Sequence, residues 1–121
     1  MRRLFALFAV LSLLPAQALG HAHGHRGPQD RFAGVEIKTH KVAGSVYMLE
    51  GAGGNIGVIA GPDGLLIVDD QFAPLAEKIR AALRQINPGP LKFVLNTHWH
   101  GDHTGSNANF SREAALVAHV N

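Results

Sequence analysis

Three histidines and one aspartate fall within six residues, as His98, His100, Asp102 and His103. All four are metal-ligating types, and in extended chain residues i and i+2 point the same way. His98 and His100 can therefore offer imidazole nitrogens to one cation at about 2.0–2.1 Å, the distance zinc prefers. Gly101 is placed to let the backbone turn, so that Asp102 and His103 address a neighbouring position. Two cations about 3.5–4 Å apart could share a bridging hydroxide there. Cysteine is absent, which excludes thiolate ligands and a thiol nucleophile. The bland alternative is an exposed polar turn.

Such a cluster needs rigid elements to deliver it. The apolar run Leu91 to Leu95 is short enough for a buried strand and leads straight into the motif. After it, Thr104 and Gly105 make a tight turn, Ser106 to Phe110 reads as a helical turn, and Ala114 to His119 as a last strand. Upstream, Val35 to His40 and Ser45 to Glu50 alternate with period two around Gly44 and suggest a hairpin. Asn55 to Ala60 and Leu65 to Asp69 form a second pair, joined by the turn residues Gly61-Pro62-Asp63-Gly64. From Pro74 to Ile86 the period changes to that of a helix, with Leu75, Ile79, Leu83 and Ile86 on one face and Lys78, Arg80 and Arg84 on a solvated one. Strand, helix, strand implies a crossover, so the fold class is α/β with a mixed sheet and one main helix.

A chain of 121 residues with 46% hydrophobic and 17% charged residues has room for one core and the apolar content to build it. Residues 1–20 read as a signal peptide: Arg2 and Arg3, an apolar run from Leu4 to Leu14, then small residues with cleavage sites after Ala18 or Gly20. The run is too short to span a bilayer. Export to the periplasm or medium follows, with no membrane association of the mature form. Without Arg2 and Arg3, nine Lys and Arg face nine Asp and Glu, which removes the basic stripe that nucleic acid requires. Residues 21–33 carry His21, His23 and His25 among glycines and read as a flexible linker with only loose metal affinity. Residues 34–121 hold the folded part.

With His98-Trp99-His100-Gly101-Asp102-His103 read as His-x-His-x-Asp-His, the sequence resembles the metallo-β-lactamase superfamily of zinc hydrolases. The likeness runs from Val46 through Asn55-Ile56-Gly57-Val58-Ile59 and Gly64-Leu65-Leu66-Ile67-Val68-Asp69 to Ala118-His119. It implies an αβ/βα sandwich of two similar halves, of which residues 34–121 are roughly the first βα half. It also implies Zn2+, one or two per complete domain, with His98 and His100 on the first ion and Asp102 and His103 on the second. Asp102 would be catalytic, ligating metal and orienting the nucleophile, and Asp69 would hold a ligand imidazole from behind in one tautomer. Asp70 is the expected helix cap, and Trp99 is expected to pack, with a rim role against substrate as the alternative.

The implied chemistry is metal-assisted hydrolysis of an ester, thioester, amide or β-lactam bond in a small-molecule substrate. Further ligands belong to the family's later half, and His119 lacks the flanking glycines expected of one. The expectation is therefore a truncated, inactive fragment, with Ile59, Ile67 and Val94 uncovered on the sheet face that meets the other half. The alternative function is a periplasmic metal-binding protein without catalysis, drawing on His21, His23 and His25 together with the motif.

Overall fold

Residues 30–120 are described by the computed structural model; the expected signal peptide and His21, His23 and His25 lie outside them. A 3-10 turn (Asp30–Phe32) leads into β1 (Lys38–Ala43), β2 (Val46–Glu50), β3 (Ile56–Gly61) and β4 (Gly64–Val68), each antiparallel to the one before. The predicted first strand begins three residues late: Val35 and Ile37 pack against the core ahead of it, while β1 itself is exposed throughout. A 3-10 turn (Ala73–Leu75) then winds into α1 (Ala76–Ile86), and Pro74 suits this start because its missing N–H is not needed in a first turn. The crossover returns the chain as β5 (Leu91–Leu95), parallel to β4. Beyond it come α2 (Gly101–Thr104), α3 (Asn107–Phe110) and β6 (Ala115–Val117), the last parallel to β5 and shorter than the sequence suggests. The result is a six-stranded mixed sheet in simple order β1-β2-β3-β4-β5-β6.

One sheet face is covered by α1. Ala76, Ile79, Ala82 and Leu83 lie at helical spacing and close on Leu49, Ile56, Val58, Leu65, Ile67 and Val94, with Leu75 and Phe110 sealing the ends. This corrects the expectation for Ile67 and Val94, which are fully buried under the helix. Register explains it: Val58, Ile67 and Val94 are successive cross-strand partners, so all three share the helix side. Ile59 is indeed exposed, and Val46, Phe93 and Val117 share its face.

The polar face of α1 is also less solvated than its composition suggests. Lys78 Nζ donates to three backbone carbonyls, Phe32 O, Ala33 O and Val35 O, and so docks the N-terminal turn onto the helix. Arg80 pairs with Glu113 and Glu77, donates to Asn109 O and lies over the Phe110 ring. Helical periodicity identifies which residues leave the core, but not what covers them afterwards.

Candidate metal centre

Everything at this end of the sheet converges on a strained turn. After β4 the chain continues one more ladder bond, Asp69 N to Leu95 O, and then breaks off with Asp69 at φ 65° and Gln71 at φ 54°. Left-handed backbone in non-glycine residues costs roughly 1–2 kcal/mol each, so surrounding contacts must hold it. They do. Asp69, Asp70 and Gln71 point their side chains to three different segments, and all three residues are buried.

Asp69 reaches the motif. Its Oδ1 accepts from Thr97 N at 2.8 Å, and its Oδ2 accepts from Thr97 Oγ1 at 2.8 Å and from His103 Nδ1 at 2.7 Å. Burial by itself would raise this carboxyl, but the hydrogen bonds from Thr97 and His103 outweigh it and hold Asp69 below the ordinary carboxylate value. An ionised Asp69 only accepts, so His103 carries its proton on Nδ1 and keeps the Nε2 lone pair free. The Thr97 hydroxyl spends its one proton on Asp69 and therefore accepts from His98 Nδ1 at 2.9 Å. One carboxylate thus sets the tautomer of two imidazoles, directly and through Thr97, and leaves Nε2 of each as the donor for a metal. Sequence reading missed Thr97. Its only signal was a hydroxyl residue beside the first histidine.

His98 and His100 are not aligned by a strand. The strand ends at Leu95, and residues 96–100 form a loop. His100 caps α2, its carbonyl accepting from His103 N at 3.0 Å and Thr104 N at 3.1 Å, while Asp102 and His103 sit inside that short helix. Gly101 has open space where a Cβ would go, so the turn does not depend on it; Gly105 is the close-packed glycine, with a Cβ position 2.7 Å from Gln71 O.

The four motif side chains nevertheless gather. The His98 ring centroid lies 4.8 Å from that of His100 and 4.0 Å from that of His103, and His103 Nε2 is 3.4 Å from Asp102 Oδ2. That last separation is the edge of a tetrahedron whose centre lies about 2.0–2.1 Å from each corner, as zinc requires. Donor chemistry and tautomers therefore fit a borderline cation such as zinc. The arrangement is not closed: among the described residues no three His, Asp or Glu side chains already converge on one metal position.

Two further expectations change. Asp70 is no helix cap: the helix start has no side-chain cap, and Asp70 Oδ1 instead accepts from Ser106 N at 2.9 Å while its Oδ2 has no partner. Trp99 does not pack into the core but is 82% exposed, its ring 4.6 Å from that of His100. His119 lies just beyond β6 and, with Asn96, Thr97, His98, Trp99 and Asn107, lines an open hollow of about 470 Å3 beside the motif.

The sequence profile of the metallo-beta-lactamase superfamily matches residues 49–121. Among solved structures, a B3 metallo-beta-lactamase with an active-site glutamic acid is 29% identical with a TM-score of 0.58, over 64% of this chain and 31% of that one. MEM-A1, a subclass B3 metallo-beta-lactamase from a soil metagenome library, is 27% identical with a TM-score of 0.59, over 69% of this chain and 32% of that one. FIM-1 from Pseudomonas aeruginosa, solved in a mono-zinc form, shares the fold at 18% identity and a TM-score of 0.63, over 71% and 43%. The chain spans about a third of the length of the first two. No curated protein sequence matches.

Proposed function

This chain belongs to the metallo-beta-lactamase superfamily, and from that premise we propose that it supplies the metal-ligating first half of a metal-dependent hydrolase. The observation that carries the reading is the Asp69 carboxylate, which engages His98 through Thr97 and His103 directly on the Nδ1 side and leaves Nε2 of each as the donor. His98 and His100 would hold one cation and Asp102 and His103 a second. A zinc ion there would make a water nucleophile available near neutral pH and polarise a scissile carbonyl. Asp102, partly open to solvent in the first turn of α2, would orient that nucleophile and take up a proton on a carboxylate oxygen. The exposed Trp99 would flank a small-molecule substrate bearing an ester, thioester, amide or β-lactam bond.

Catalytic zinc usually takes three protein ligands and an open position, whereas His98 and His100 give a first cation two. The 121-residue chain is therefore expected to bind zinc weakly and not to hydrolyse nitrocefin. Zinc titration against a chromophoric chelator tests the site itself. Alanine at His98, Asp102 or His103 should abolish what binding there is; unchanged binding in all three variants would remove the assignment. The mature chain would be exported. Among the described residues no helix is long and apolar enough to cross a membrane. N-terminal sequencing of the expressed protein should find a start at residue 19 or 21, and a retained Met1 in the periplasmic or secreted fraction would contradict the leader.

A further inference from the structure

Gln71 is fully buried, polar, and held in left-handed backbone, yet its side-chain hydrogen bonds go elsewhere than to the four candidate ligands. Its amide is spent on one short segment. Gln71 Oε1 accepts from Ala52 N at 3.3 Å, and Gln71 Nε2 donates to Gly54 O at 2.5 Å. The segment it grips is Gly51-Ala52-Gly53-Gly54, and each of its glycines is demanded by a neighbour. A Cβ on Gly51 would stand 2.5 Å from Gln71 Oε1, one on Gly53 2.5 Å from the Asp102 Cβ, and one on Gly54 2.7 Å from His103 Nε2. The loop thus lies as bare backbone against the two residues proposed for the second cation, and the Gln71 amide is hydrogen-bonded to both ends of its Ala52–Gly54 stretch.

We propose that Gln71 is a positioning residue of this centre, clamping the Gly51–Gly54 loop as a wall that confines Asp102 and His103. The proposal rests on the functional reading above. A buried amide satisfied at both ends fixes a loop in a way an apolar side chain of equal size cannot. The φ of 54° at Gln71 is the conformation that turns its amide toward the loop while Asp69, two residues earlier, turns toward Thr97 and His103. The wall and the tautomer-setting carboxylate are therefore built from one turn, and both bear on His103.

Gln71→Met keeps the volume and removes both hydrogen bonds. Zinc affinity of the 121-residue chain should fall about 10- to 100-fold, the loss typical when a ligand's supporting contact is removed, with amide protection in β3, β4 and β5 retained. Gly54→Ala should produce a loss of the same order by pressing on His103 directly. The double variant should lose little more than either alone, since both act on one contact. Zinc affinity unchanged in Gln71→Met would overturn the proposal. Should that variant fail to fold, Gln71→Glu, which keeps the acceptor for Ala52 N and removes the donor to Gly54 O, is read in its place. A metal-free readout separates this claim from the functional one: a nuclear Overhauser contact between the Gly54 α-protons and His103 Hε1, present in the unmodified chain and lost in the Gln71 variant. If the unmodified chain binds no zinc, the hydrolase reading fails, while this contact still decides the clamp. Its absence from the unmodified chain, or its persistence in the variant, sinks the clamp.

Discussion

A carboxylate that accepts from Thr97 N, Thr97 Oγ1 and His103 Nδ1 cannot become an amide without turning one N–H toward another donor. Asp69→Asn is accordingly expected to lower zinc affinity by about 10- to 100-fold, measured by chelator competition. Replacing His21, His23 and His25 should leave affinity unchanged; the reverse pattern would favour loose binding by the N-terminal histidines. Asp70, one residue on, behaves in the opposite sense. Burial, together with the neighbouring Asp69 charge, raises its carboxyl from 3.8 to about 6 against the pull of the Ser106 N–H. A raised folded value means that the native state binds the extra proton, so stability falls as pH climbs from about 4 to about 6. The cost at neutral pH is on the order of 2–3 kcal/mol. Asp70→Asn in the metal-free chain should recover part of it at pH 7 and nothing at pH 3.5, read by urea denaturation at both.

At the level of elements, the turn after β4 and the loop after β5 meet because the two strands are parallel neighbours, with Val68 paired to Leu95. Asp69 and Thr97 each follow one of those strand ends. Thr97→Val removes the hydroxyl but keeps the backbone N–H to Asp69, so it should disturb His98 and spare His103. The expected signature is a mixed Nδ1/Nε2 tautomer for His98 in 15N spectra with His103 unaltered; a single unchanged His98 tautomer would show that Thr97 does not set it. Lys78→Met should loosen the Asp30–Phe32 turn, speeding exchange of the Val35 amide that bonds Phe32 O, and leave β3 and β4 protected. The spacing of Leu75, Ile79 and Leu83 made the helix and its buried face legible. Apart from Glu77, the partners of Lys78 and Arg80 lie 29 to 46 residues away, and no local pattern encodes them.

Across the described residues, α1 covers one sheet face over β3, β4 and β5, and the other is apolar and open, with Val46, Ile59, Phe93 and Val117 each 40–48% exposed. Contiguous apolar surface of this kind drives association in water. The 121-residue chain is expected to self-associate with concentration in sedimentation velocity, and Ile59→Lys with Phe93→Lys to shift it toward monomer. A concentration-independent monomer would contradict this. Asn55 to Ala60, Leu65 to Asp69 and Leu91 to Leu95 are legible as apolar strand runs, without an alternation that marks two faces. Such runs could not say which face the helix takes, which is why Ile67 and Val94 were assigned to the wrong side.

Strand order along the chain, the amphipathic helix and the set of donor atoms at positions 98 to 103 are written in residues a few places apart, and the sequence alone determined them because side-chain periodicity and ligand chemistry are local properties. Tertiary structure alone decided which ring nitrogen of His98 and His103 is free, that Thr97 bonds to Asp69 and Gln71 to the loop beside the motif, and that Asp70 is buried rather than capping. Those facts depend on hydrogen bonds spanning 28 residues between Thr97 and Asp69 and 17 between Gln71 and Gly54. Such contacts exist only once β3, β4 and β5 have paired, and pairing is a property of the assembled sheet rather than of any one segment.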